Sequence, residues 1–156
     1  ARWQYPVIID NMMNLELLEY ASGLFHCDSL NQIALTHART TMKNHFRPDA
    51  SSYHVVSYNP ETGVAEKHNT HQGYSDDSFW SRGQGWGLYG YTMCYRYTHD
   101  AKYLDMARRI ATFWLSLDNM PDDLVPYWDM KEPGINTPGE VVPRDASAAM
   151  DFFTQN

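Results

Sequence analysis

The sequence predicts an all-helical chain built from antiparallel helical hairpins, an arc of a toroid with a small β-hairpin in one rim loop. Three observations carry this. Apolar residues recur at helical spacing in successive capped segments. The connections are of very unequal length, and the long ones, 48–79 and 118–144, hold most of the polar residues that chemistry could use. A hairpin of two helices with its connections needs about 30–40 residues, so 156 residues make about two and a half units.

The first helix is expected over Asp10–Phe25, with Asp10 or Asn11 as N-cap and Met13, Leu17, Leu18, Ala21 and Leu24 as its apolar stripe. The second runs from Ser29 to Phe46, capped by Asp28 or Ser29. Its stripe is Leu30, Ile33, Ala34, Ala38, Met42 and Phe46, and Arg47-Pro48-Asp49 stops it. Tyr53–Tyr58 alternates enough for a short strand. Asn59-Pro60-Glu61-Thr62-Gly63 is a turn, and Val64–Lys67 can pair back. The third helix spans Trp80–Tyr97. Asp100 caps a fourth, in which Tyr103, Leu104, Ala107, Ile110, Ala111, Trp114 and Leu115 keep a clean helical period. Residues 118–144 hold five of the eight prolines and read as a long ordered loop, after which Asp145 caps a last helix. The chain opens on ARWQYPVIID and closes on what reads as the start of a helix. Two and a half units do not close a ring. The expectation is therefore one partial domain over 1–156, the central part of a larger barrel, with exposed apolar faces that promote association.

Composition narrows the partners. Apolar residues are 43% and aromatics 14%, which places the chain among globular proteins. A net charge of −7 without a basic cluster argues against nucleic acid and anionic membranes. No apolar run is long enough to span a bilayer. Eleven tyrosines and five tryptophans suit a carbohydrate ligand but equally fill a core. Cys27 and Cys94 are far apart and read as buried free thiols.

Most motif matches fail in context. Gly85–Gly90 satisfies G-x-G-x-x-G, but no apolar strand precedes it, so a dinucleotide cofactor is not expected. Those glycines are better explained by close approach of neighbouring helices or a ligand. His68, His71, Asp76 and Asp77 lack metal-ligand spacing, and no metal or other cofactor is expected. His37 and His45 read as packing histidines, and Ser51 and Ser52 have no nucleophile context.

Two features resist a purely structural reading. Arg82 and Trp86 lie four apart, on one face if the third helix forms. A fixed cation matches a carboxylate bidentately and an indole covers the apolar face of a sugar, so this pair suits an acidic saccharide. A core helix with one snorkelling arginine has the same pattern. Asp10 follows the apolar run Pro6-Val7-Ile8-Ile9 and precedes Asn11-Met12-Met13. A carboxyl among such neighbours suits a general acid, although a plain helix cap also fits.

The segments Asp10-Asn11-Met12-Met13-Asn14-Leu15, Asp49-Ala50-Ser51-Ser52-Tyr53-His54, His71-Gln72 and Trp80-Ser81-Arg82-Gly83-Gln84-Gly85-Trp86 occur in the order seen in the unsaturated glucuronyl hydrolases, glycoside hydrolase family 88. The resemblance runs from Trp3 to about Met150. The sister family acting on unsaturated rhamnogalacturonan usually shows Asn where this chain has Gln84. The resemblance implies an (α/α)6 barrel, a cytoplasmic or periplasmic bacterial location, and hydration of the C4=C5 double bond in the unsaturated uronic acid that a polysaccharide lyase leaves at an oligosaccharide end. It further implies Asp10 as general acid and base, with His54, His71, Gln72, Arg82 and Trp86 contacting substrate. The alternatives are a non-catalytic or inactive acidic-sugar binder, because the family's second aspartate and an aromatic platform come from upstream of Ala1, or an unsaturated rhamnogalacturonyl hydrolase of the sister family. Asp49-Ala50 stands where the family more often has Asp-Gly, and residues 151–156 depart from its pattern.

Overall fold

The computed structural model describes residues 3–153. Its elements run β1 (Tyr5–Ile8), α1 (Asn11–Phe25), α2 (Asp28–Asn44), β2 (Val55–Tyr58), β3 (Ala65–Asn69), α3 (Ser81–Thr98), α4 (Ala101–Leu115), a 3₁₀ turn at Pro133–Asn136, and α5 (Ala146–Phe153). The chain is mainly helical, as its periodicity predicts. Helices α1 and α2 form one hairpin, α3 and α4 a second, and α3 also packs on α1 and α5. The core between them gathers Met12, Leu15, Ala34, Ala38, Tyr91, Cys94, Tyr103 and Ile110.

The expected hairpin is a three-stranded antiparallel sheet in the order β1-β2-β3. The extra strand β1 pairs with β2 from Tyr5↔Tyr58 to Ile8↔Val55. Its run of only four residues contains Pro6, which lacks an amide donor and suits an edge position. All four residues of the central β2 are buried, so continuous burial replaces the alternation expected there. The turn returns through Gly63 at φ +70, the left-handed region that favours glycine.

Two helix faces differ from expectation. On α1 the buried residues are Met12, Leu15, Glu19 and Ser22, while Leu17 and Leu24 of the expected stripe are exposed. Apolar residues lie on both sides of this helix, and periodicity alone does not say which side meets α2 and α3. On α2, Ala34 and Ala38 are buried as expected, but Ile33 is exposed and Thr41 completes the inner face. The fourth helix is closer to expectation. Asp100 accepts the Lys102 amide at 3.1 Å as its N-cap, and Tyr103, Ala107, Ile110 and Trp114 are buried, but Leu115 is exposed. Cys94 is buried and Cys27 only partly so, at the N-cap of α2 with Sγ 3.2 Å from Ser29 Oγ. His45 is the packing histidine expected: wholly enclosed, it is pushed down to about 3, chiefly by desolvation. Residues 154–156 of the divergent C-terminal segment lie outside the described residues.

The glycines of α3 do serve close approach. A Cβ on Gly90 would sit 2.7 Å from Met12 Cβ, and one on Gly83 would sit 2.9 Å from Ile9 Cγ2. The second contact presses α3 against the residue preceding Asp10, and so sets the distance between two of the candidate site segments.

Candidate active site

Asp10 stands at the N-cap of α1, yet its side chain caps nothing. Only its carbonyl serves the helix, accepting the Met13 amide at 2.9 Å. The carboxyl turns instead toward His54, with Oδ2 3.5 Å from Nε2. That oxygen is buried, and no hydrogen bond reaches it among the described residues. A carboxylate at a capping position that does not cap forgoes about 1 kcal/mol of helix stabilisation and is free for another role.

His54 is placed by the sheet and oriented by a loop. It precedes β2, its carbonyl accepts the Ile9 amide at 3.0 Å, and its side chain is almost wholly enclosed. Its Nδ1 accepts two backbone amides, from His71 at 3.2 Å and Gln72 at 3.1 Å. Two donors pointing at Nδ1 require its lone pair, so the proton of the neutral ring sits on Nε2, facing Asp10. The ring also stacks on Trp80, with centroids 4.7 Å apart. His71 and Gln72 therefore contribute their main chain to the site, and both side chains are exposed. The His71 ring lies 6.4 Å from that of His54 and meets Trp3 edge-on at 6.2 Å.

Arg82 and Trp86 share a face of α3, since both lean on Trp80. The Trp86 ring meets it edge-on at 5.3 Å, and the Arg82 guanidinium lies 5.5 Å from its centroid. Arg82 is also paired. Its Nε and Nη2 stand 3.2 and 3.1 Å from Asp145 Oδ2. Trp80 thus joins the two halves of the site, His54 and Asp10 on one side and Arg82 and Trp86 on the other. Its place at the head of W-S-R-G-Q-G-W was the available signal, but sequence reasoning gave it no role.

Buried polar residues hold these loops. Gln84 is wholly enclosed, accepts the Ser52 amide at 2.8 Å and donates to the Ala50 carbonyl at 2.9 Å. Ala50 takes φ +71, which explains why glycine is the more usual residue of the related motif; a side chain there costs about 1–2 kcal/mol. Asp129, also wholly enclosed, accepts the Tyr74 amide at 2.9 Å and the Ser78 hydroxyl at 2.5 Å, tying the 70–78 loop to the proline-rich loop. Arg47 donates to the carbonyls of Ser52, Asp76 and Ser78, each at 3.0 Å. Neither Asp129 nor Arg47 has a sequence signature beyond its charge. Among the described residues no group of histidine, cysteine and carboxylate side chains could hold a metal ion. A cavity of about 910 Å³ lies between β1, α2 and the β2–β3 turn, and none of the six candidate residues lines it.

No family model matches the chain. Individual proteins do. It is 50% identical over 147 residues to the unsaturated glucuronyl hydrolase of Formosa agariphila, covering 94% of this chain and 36% of that protein. It is 38% identical over 144 residues to an unsaturated chondroitin disaccharide hydrolase of Streptococcus agalactiae. The crystal structure of an unsaturated glucuronyl hydrolase specific for heparin superposes with a TM-score of 0.93 at 48% identity, over 99% of this chain and 41% of that one. A mutant unsaturated glucuronyl hydrolase from Streptococcus agalactiae, solved in complex with dGlcA-GalNAc6S, matches at a TM-score of 0.76 and 36% identity, over 95% of this chain and 38% of that one. The chain spans about a third of the length of the curated relatives it matches. Over the stretch it spans, the chain is homologous to the unsaturated glucuronyl hydrolases.

Proposed function

We propose that this chain carries the general acid and the carboxylate-recognition face of a hydrolase acting on oligosaccharides that end in a 4,5-unsaturated uronic acid. The observation that supports this most is the buried, unsatisfied Oδ2 of Asp10 facing the Nε2 of His54. An acid that must lose and regain a proton needs a carboxyl that is neither capping a helix nor paired with a cation, and among the described residues Asp10 caps no helix and meets no lysine or arginine. Here Asp10 protonates C4 of the vinyl ether, leaving positive charge shared between C5 and the ring oxygen. Water adds at C5 and its proton returns to the Asp10 carboxylate. The resulting hemiketal opens and releases the rest of the saccharide. His54, its tautomer held by the 71–72 main chain, steadies the carboxylate between the two transfers. Arg82 pairs with the sugar carboxylate, and Trp86 covers the ring face.

The test is the loss of absorbance near 235 nm from the conjugated double bond. Unsaturated disaccharides derived from glycosaminoglycans should be consumed by a full-length enzyme that contains this chain and not by its Asp10→Asn variant. Binding of such a disaccharide with no turnover by the otherwise intact enzyme would instead establish a non-catalytic acidic-sugar binder.

A further inference from the structure

Arginine carries about 2 kcal/mol of side-chain conformational entropy, so an exposed guanidinium is poorly placed unless something fixes it. The Arg82 side chain is 38% exposed, while that of its partner Asp145 is 4% exposed. Asp145 is itself immobile. Its amide donates to the Pro126 carbonyl at 2.8 Å, and its Oδ1 accepts the Ala148 amide at 3.0 Å, which caps α5. The other oxygen, Oδ2, takes both Nε and Nη2 of Arg82. This side-on pairing uses one edge of the planar guanidinium and leaves the end-on fork of Nη1 and Nη2 for a second carboxylate.

We infer that Asp145 is a positioning residue for Arg82, holding the guanidinium against Trp80 with its open fork turned toward the carboxylate of an acidic sugar. This rests on the proposed reading of the same site and gives the proline-rich loop a purpose, the delivery of Asp145. Asp151, further along α5, lies close enough to feel the charges of both members of the pair. Among the described residues its buried Oδ2 has no hydrogen-bond partner, and it abuts Gly85, where a Cβ would lie 3.2 Å away. Desolvation, and then the charge of Asp145, push its carboxyl up to about 6, opposed by Arg82.

The competing role for Asp145 is that of a helix cap alone, and Asp145→Asn separates the two because asparagine caps equally well. In the active enzyme, Asp145→Asn should lower kcat/KM on an unsaturated uronic disaccharide at least about tenfold, chiefly by raising KM, since the guanidinium that meets the substrate carboxylate is no longer held in place. In an Arg82→Ala background the same substitution should change kcat/KM less than about twofold, because pairs acting through one group are non-additive. Equal losses in both backgrounds, or no loss in the first, would overturn the inference. A second readout needs no turnover. Hydrogen exchange of the Arg82 Nε–H should be slow in the parent and fast in Asp145→Asn, with the Ala148 amide protected in both. Equal Arg82 exchange in the two proteins would also overturn it. A full-length parent enzyme that leaves the disaccharide intact sinks the proposed activity, and the exchange measurement still decides the role of Asp145.

Discussion

His54 turns Nε2 toward Asp10 Oδ2 at 3.5 Å and gives its other ring nitrogen to the amides of residues 71 and 72. The distance is longer than a typical hydrogen bond, so His54 faces Asp10 without a tight contact. In the active enzyme Asp10→Asn should lower kcat by about 10²-fold or more and leave KM nearly unchanged, since general acid–base catalysis supplies roughly 10²–10⁴. The isosteric amide preserves the start of α1. Near-wild-type turnover would reduce Asp10 to a feature of that helix terminus.

Removing His54 tests the other side of the pair. In His54→Ala the His71 and Gln72 amides lose their acceptor, and a part-buried unsatisfied donor costs about 1–3 kcal/mol. Urea denaturation should show a loss in that range, and kcat should fall as well. A stable variant with full turnover would show that the 71–72 loop holds its place without the ring.

The helices, their order and Asp145 as the cap of α5 were legible in the sequence because capping and period are local. Arg82 and Trp86 sharing a face was legible for the same reason. The buried side of α1 was not, because both of its sides are apolar and the choice depends on what packs there. Strand β1 was hidden because its four residues pair with a partner about 50 positions away (Tyr5↔Tyr58). Trp80 and Asp129 were missed because their work is long-range: one supports both halves of the site, the other joins two loops 51 residues apart. The family motif marked Gln84 without showing that it is an enclosed clamp on residues 50–52.

That clamp has a measurable size. Gln84→Asn is one methylene shorter and cannot reach both the Ser52 amide and the Ala50 carbonyl. It should destabilise the protein by about 1–3 kcal/mol in chemical denaturation, the cost of one unsatisfied buried group. Because the clamp also restrains Ala50 at φ +71, the 50–52 amides should exchange faster in the variant. An unchanged midpoint would mean that the shorter amide finds equivalent partners.

Asp151 predicts a pH dependence. Its carboxyl is raised from 3.8 to about 6 in the folded protein. Below pH 4 it is protonated whether the chain is folded or unfolded, and it has no effect on stability. Between 4 and 6 the unfolded chain ionises first, so stability falls as pH rises; above 6 the full cost is present. Asp151→Asn should therefore raise Tm above pH 6, with the gain shrinking to nothing below pH 4. A gain that is constant with pH would trace to packing instead of ionisation.

The exposed apolar faces predict how residues 1–156 behave on their own. Leu17, Tyr20, Leu24 and Phe25 on α1 and Ile33 on α2 are each more than half exposed. Leu17, Tyr20 and Leu24 recur at helical spacing and so share one face of α1, and an exposed apolar face of this kind marks an interaction surface. At about 25 cal/mol per Å² of apolar area, covering such a patch is strongly favourable. Residues 1–156 alone should therefore elute from gel filtration as associated species at micromolar concentration, and Leu17→Glu with Leu24→Lys should shift them toward monomer. The same chain should hydrate unsaturated disaccharides very poorly, because the Asp10 side chain is 25% exposed and acid catalysis of this kind needs a site closed to water. A compact monomer with turnover comparable to that of a full-length relative would show that the α1 face needs no cover and that the described residues suffice for catalysis.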